Sequence, residues 1–307
     1  MQLGEYRFHA VLEEEAWLPA YKGSTFRGVF GLALKQVVCA LRQQECPTCL
    51  LREQCLYPRI FETPQAAGAP PPHPFVIEPP LETKTHYQPG EAFDFTLLLF
   101  GWANDCLPYF VYAFREMGRL GIGRRLAGRR GRFRLVQVTS PDAGLLYREE
   151  DGTLSTPTPR ALKPPHPGAP GGPELELTLT LLTPLRLKFR NHLQAELPFH
   201  VLLRAVLRRL ASLWQHFGGG EPDLDYRGLI RRAEEVAVAR HRLRWFDWRR
   251  YSNRQEAEMY LGGLTGEVTY RGRLQEFLPL LTQAAPLHLG KNTTFGLGKI
   301  ALSGPPP

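Results

Sequence analysis

Cys39, Cys46, Cys49 and Cys55, spaced C-x6-C-x2-C-x5-C, are the most compact set of candidate ligands in the chain. Two sulfurs of the CPTC tetrad can share one ion, and the flanking cysteines complete four ligands. The set therefore predicts a structural zinc ion or an iron–sulfur cluster, with reduced unliganded thiols and a disulfide as the alternatives. The spacing is not that of a standard zinc finger, so the metal stays open. A metal here would pin an insertion spanning 39–62 to the preceding helix. Cys106 reads as a small buried apolar residue.

A second chemistry is written in glycines and cations. The stretch PLHLGKNTTFGLGKI, from Pro286 to Ile300, combines backbone freedom at Gly290, Gly296 and Gly298 with donors suited to phosphate oxygens. Lys291, Thr293, Gly296 and Gly298 are the candidate nucleic-acid contacts there; the alternative is a turn that closes a sheet. It is not a P-loop, because no GxxxxGK[ST] precedes a helix. Between Arg119 and Arg134 the chain carries seven arginines and no acid. Like charges so concentrated call for a polyanion, or else form a solvated basic face. The interleaved Gly121, Gly123, Gly128 and Gly131 favour a loop that hugs a backbone, with Arg124, Arg125, Arg129, Arg130 and Arg132 as RNA contacts. In RHRLRWFDWRRY, from Arg240 to Tyr251, basic residues alternate with aromatic ones, a pattern for holding single-stranded RNA that nominates Arg249 and Arg250. An edge strand with core aromatics would read similarly.

Elements must position these residues. Tyr6–Leu12 alternates as a strand. Ser24 is suited to cap a helix running to about Arg42, whose first turn gathers Tyr21, Lys22, Ser24 and Arg27 as an anion site, or as ordinary capping beside a solvated lysine. Phe75–Ile77 and Phe93–Phe100 read as strands. Leu107–Leu120 reads as a helix, with Phe110, Phe114 and Met117 on one face. After the proline- and glycine-rich segment 151–173, alternating leucines from Leu175 give a strand. Phe199, Leu202, Val206, Leu210 and Leu213 give a long helix ended by Gly218–Gly220, and Leu274, Phe277, Leu278 and Leu281 give a short one. The order strand–helix–strand–strand–helix–strand occurs twice. It predicts an α+β protein of two tandem ferredoxin-like (RRM-like) domains: 1–150 with the cysteine insertion, 151–173 as a linker or long exposed loop, and 174–302 with the glycine-rich loop. The 307 residues, 43% hydrophobic, suffice for two cores, and the formal charge of +8 favours nucleic acid as partner. No apolar run is long enough to span a bilayer and MQLGEYRF lacks a signal peptide's apolar region, so a cytoplasmic protein with no membrane association is expected.

Three parts of the chain resemble the CRISPR-associated repeat-processing endoribonucleases of the RAMP superfamily, in particular the type with a C-terminal glycine loop and cysteines. They are YKGSTFRGVFGLAL with the cysteine block and YPRIFE; TPLRLK with FHVLLRAVLRRL; and FDWRRYSNRQ…YLGGLTGEVTY with HLGKNTTFGLGKI. The resemblance implies two ferredoxin-like domains facing one another across a cleft for CRISPR repeat RNA. It implies metal-independent cleavage by the ribose 2′-hydroxyl, with 2′,3′-cyclic phosphate and 5′-hydroxyl ends and no cofactor for catalysis. It also implies contact with other interference proteins. Relatives often place a catalytic histidine in or near the first helix, but this chain has none between His9 and His73. Tyr21 and Lys22 are the stand-ins there. His192, in the polar turn KFRNHLQ, His200, among apolar helix positions, and His288, opening the glycine loop, are the other acid–base candidates. The missing histidine also fits a non-catalytic RNA-binding subunit of an effector complex, and the cysteine block a metal- or redox-sensing regulator.

Overall fold

A computed structural model describes residues 1–62, 70–126, 128–189, 192–193, 196–252 and 257–304, with the backbone alone at 189, 192–193, 248–252 and 257–261. The chain forms two compact units, Met1–Leu162 and Lys163–Pro307.

In the first unit the strands are β1 (Gln2–Leu12), β2 (Ala16–Trp17), β3 (Phe75–Glu78), β4 (His86–Tyr87), β5 (Ala92–Phe100), β6 (Ile122–Leu126), β7 (Arg129–Gly131), β8 (Phe133–Ser140), β9 (Gly144–Arg148) and β10 (Arg160–Ala161). The helices are α1 (Gly23–Val38), α2 (Leu56–Phe61) and α3 (Leu107–Leu120). The main sheet runs β3-β5-β1-β8-β9, and its first four strands have the ferredoxin-like order with α1 and α3 as crossovers. Phenylalanines weld the helices to the sheet. Phe30 of α1 stacks on Phe110 and Phe114 of α3 at 5.5 and 4.8 Å, and Phe114 meets Phe8 of β1 at 4.7 Å. Such pairs add to the burial energy of their large rings.

Two expectations are corrected in α1. Its cap is Lys22, with no side-chain cap, so Ser24 lies inside the first turn rather than before it. The helix stops at Val38, because Cys39 turns extended, its N–H still bonded to the Lys35 carbonyl. A third correction concerns the arginine–glycine stretch, which is a hairpin of β6 and β7 rather than a loop. The segment read as linker is also partly structured. Leu154 bridges to Tyr147, and β10 pairs with Gln2 and Leu3 of β1.

The second unit contains β11 (Leu175–Leu185), β12 (Lys188–Phe189), β13 (His192–Leu193), α4 (Phe199–Phe217), α5 (Tyr226–Ala233), β14 (Ala237–Ser252), β15 (Ala257–Gly272), α6 (Leu278–Ala284) and β16 (Ile300–Ser303). Its sheet, β14-β15-β11-β16, repeats the ferredoxin-like order. Phe199 packs edge-on to Tyr270 and Phe277 at 5.0 and 5.2 Å, fixing the start of α4 against the sheet and the turn before α6. The aromatic–arginine stretch lies on β14, at the sheet edge. Of its described rings, Phe246 is exposed and the half-buried Trp245 donates from Nε1 to Asp247 at 2.8 Å. Among the described residues, no helix is long and apolar enough to cross a membrane.

Candidate nucleic-acid interface

The glycine loop is built on the end of β11. Leu182 and Thr183 donate to the Lys299 carbonyl, Gly298 N–H donates to Pro184 O at 3.1 Å, and Lys291 N–H to Arg186 O at 2.9 Å. Lys299 N–H donates to the Thr183 hydroxyl at 2.8 Å. The loop's backbone thus continues the sheet edge beyond the pairing of β11 with β16. Its glycines serve that closeness. At Gly298 (φ +77°) a Cβ would stand 1.9 Å from the Leu289 carbonyl oxygen, and at Gly290 (φ +80°) 2.5 Å from that of Arg186. The bulky partner that these glycines admit is the chain itself.

What the loop displays is charge. Lys291 is exposed and its ammonium is held below the usual lysine range, by partial burial first and then by Lys188, Arg186 and Arg208. Four cations therefore converge from β12, the turn after β11, the outer face of α4 and the loop. Thr293 lies half-buried two residues on, and Gly296 is buried with φ +78°. Beneath them Arg209 donates from Nε to Leu287 O at 2.9 Å, and burial lowers its guanidinium to about 10. Arg186 donates to Gly262 O at 2.8 Å, which aims its fork. A like-charge cluster raises the free energy of each member, and a phosphate relieves it.

Arg186, Lys188 and Arg208 were absent from the sequence's nominated contacts, although signals existed. In TPLRLK, Arg186 and Lys188 alternate with the buried Leu185 and Leu187, which sends both to one side. Arg204 and Arg208 stand one turn apart on α4.

The histidines separate. His288 is fully buried at φ +58°, and its Nδ1 donates to the Leu297 carbonyl at 2.9 Å, which fixes that nitrogen as the N–H. His200 is half-buried in the first turn of α4. His192 pairs through its backbone with Phe189, one position along from the pair Lys188–Leu193. The side chains of His192, Arg249 and Arg250 lie outside the described residues.

In the first unit, Lys22 is fully buried. Its Nζ donates to Glu82 O at 2.5 Å and lies 5.6 Å from the Tyr87 ring centre; burial lowers its pKa. Tyr21 has its hydroxyl pKa driven up, by burial and then by Glu78. Packing thus keeps Tyr21 protonated but makes the Lys22 ammonium easier to deprotonate, and Lys22 points inward. Of the hairpin arginines, Arg124, Arg125 and Arg129 are exposed, Arg130 is half-buried, and Arg132 pairs with Glu14 at 2.8 Å. The hairpin glycines also meet the chain. A Cβ at Gly123 would stand 2.3 Å from Trp17 O, and one at Gly131 2.7 Å from Glu15 O.

The cysteines of the block are not gathered as a ligand set. All five cysteines are free, and among the described residues no group of three or more His, Cys, Asp or Glu side chains is placed to hold a metal ion. The expected zinc or iron–sulfur site on Cys39, Cys46, Cys49 and Cys55 is therefore not supported. Cys46 alone of the four is buried. Burial, then Glu62, raises its thiol pKa.

Comparison with known proteins places both units. Residues 1–159 match the family model AF_1859_N, an N-terminal domain, and residues 179–300 match that of the CRISPR-associated endoribonuclease Cas6. An uncharacterized protein of Archaeoglobus fulgidus is 27% identical over 210 residues, covering 66% of each chain, just under two thirds of that relative's length. Among solved structures, a Cas6 product complex aligns with 98% of this chain and 100% of its own, with TM-score 0.58 and 18% identity. Thermus thermophilus Cas6 aligns at TM-score 0.56 and 18% identity, over 98% of both chains. A chain of a partial Cas6-RT-Cas1–Cas2 complex, 13% identical, aligns at TM-score 0.55 over 99% of this chain and 46% of its own. These structural likenesses establish the fold.

Proposed function

Because the chain belongs to the Cas6 family of CRISPR-associated endoribonucleases, we propose that it grips CRISPR repeat RNA at the glycine loop and cuts it by metal-independent attack of a ribose 2′-hydroxyl. Processing of CRISPR repeat RNA goes with the family; the site and the mechanism are our reading. The observation that carries it is the convergence of Lys188, Arg186 and Arg208 on Lys291, inside the segment that matches the endoribonuclease model. In this reaction the 2′-oxygen bonds to phosphorus as the P–O5′ bond breaks. A base takes the 2′-hydroxyl proton and an acid returns one to O5′, leaving a 2′,3′-cyclic phosphate and a 5′-hydroxyl. The four cations balance the charge that builds on the phosphoryl oxygens. We take His192, in the polar turn KFRNHLQ and paired through its backbone with Phe189, as the acid–base residue. The hairpin arginines hold flanking phosphates, and the cut RNA passes to other interference proteins.

Cleavage of the host's repeat RNA in EDTA tests the reading, with a 2′-deoxy sugar at the scissile position as control. The expected result is cutting that the deoxy sugar abolishes, and a His192→Ala protein that binds without cutting, while His200→Ala and His288→Ala retain cleavage in proportion to folded protein. A requirement for divalent metal, or cutting of the deoxy substrate, overturns the mechanism. The inward Lys22, the protonated Tyr21 and the lack of a histidine between His9 and His73 favour a second reading, a non-catalytic RNA-binding subunit. Tight binding of RNA that stays intact would select it.

A further inference from the structure

Trp17 is a large apolar ring left 42% exposed on a two-residue strand, although the fold could have buried or replaced it. One face is covered: His86, its partner across β2 and β4, stacks on it at 4.1 Å with planes 15° apart. Both rings are held from the edge by a single carboxylate. Glu15 Oε1 accepts from Trp17 Nε1 at 3.0 Å and pairs with His86 Nε2 at 2.7 Å. The ring is therefore oriented by a second ring and two polar contacts, not left as a loose surface side chain. Beside it runs the arginine hairpin. Gly123 lies against the Trp17 carbonyl and Gly131 against Ala16, so the hairpin strand β6, which carries the exposed Arg124 and Arg125, runs beside β2.

A fixed indole left 42% exposed, on a strand beside one that carries exposed arginines, has the chemistry of a single-strand stacking site. Every base has a π-face to lay on the ring, and its phosphates meet the arginines. A solvated edge strand would need neither the His86 stack nor the shared carboxylate. We propose that Trp17, backed by His86 and beside the strand that carries Arg124 and Arg125, is a platform for one unpaired nucleobase of the bound RNA. The proposal rests on the RNA-processing reading and adds to it a defined place, remote in sequence from the glycine loop, where single-stranded RNA is received.

The test uses full-length protein and two probes, the repeat RNA and an unstructured oligouridylate. Trp17→Ala is expected to weaken binding of both probes roughly tenfold, and Trp17→Phe to restore most of it. Scanning the repeat RNA with single abasic nucleotides should find one unpaired position whose loss weakens wild type but not Trp17→Ala. Unchanged affinity in Trp17→Ala, with no abasic position that couples to it, overturns the platform while leaving repeat cleavage intact. Trp17-dependent binding of oligouridylate without binding or cutting of repeat RNA would instead uphold the platform and sink the processing reading. A wild-type protein that binds neither probe overturns both.

Discussion

From His288 to Lys299 the second unit uses its backbone groups on β11 and displays four converging cations above them. In the first unit the hairpin of β6 and β7 has a similar composition and a different construction. Its arginines are strung along a two-stranded ribbon, and Arg132 already has a carboxylate partner in Glu14. Glycine works for the protein's own packing in both places. Clustered charge under mutual repulsion suits a reacting phosphate, whereas dispersed charge suits a strand of phosphates passing by. Under the proposed function, that difference corresponds to chemistry at the loop and holding at the hairpin.

Substituting glycines would break the comparison most visibly. Gly298→Ala sets a Cβ against the Leu289 carbonyl at positive φ and should lower stability by about 3 kcal/mol. Gly128→Ala, at φ +83° with nothing within 4 Å, should lower it by about 1 kcal/mol. Equal losses in urea unfolding would mean that the loop is no more tightly built than the hairpin. The charges come next. Replacing Lys188, Arg208 and Lys291 together by alanine should reduce RNA affinity roughly thirtyfold and flatten the salt slope by about 2. Replacing Arg124, Arg125 and Arg129 should flatten the slope similarly yet leave the cleavage rate of bound RNA unchanged. A slowed rate in the hairpin variant would erase the division of labour.

An alkaline titration sharpens the picture further. Lys291 has a depressed pKa, so its charge is lost at lower pH than the ordinary lysine value of 10.5. RNA affinity should accordingly fall as pH rises through that window, and Lys291→Arg should remove the fall because a guanidinium stays charged. Identical curves for the two proteins would place Lys291 away from phosphate. The smallest effect belongs to the hairpin's ion pair. Arg132→Ala breaks an exposed contact and should leave the thermal melt nearly unchanged.

Much of the fold was legible because periodicity is local. The apolar spacing in Leu107–Leu120 and Phe199–Phe217 marks α3 and α4 at their observed bounds, and alternation marks β11. The end of α1 was not legible, since residues 39–42 continue the helical pattern and only the chain's departure toward the cysteine turn stops it. The site was legible in part. The glycine loop announced itself, but the three cations that join Lys291 come from the turn after β11, from β12 and from α4, which no spacing connects. The cysteines erred the other way, because ligand spacing is a property of sequence while convergence of thiols is not.

By itself, then, the sequence determined two ferredoxin-like units, their helices, the basic segments and the glycines that let backbones approach. Those follow from periodicity, charge and the absence of a Cβ, all readable a few residues at a time. Tertiary structure alone decided that Lys22 turns inward, that the arginine stretch is a ribbon laid on Trp17, that the four cysteines hold no common centre, and that Arg186, Lys188, Arg208 and Lys291 share one field. Each of these depends on distances between residues far apart in the chain, which are set by packing and not by spacing.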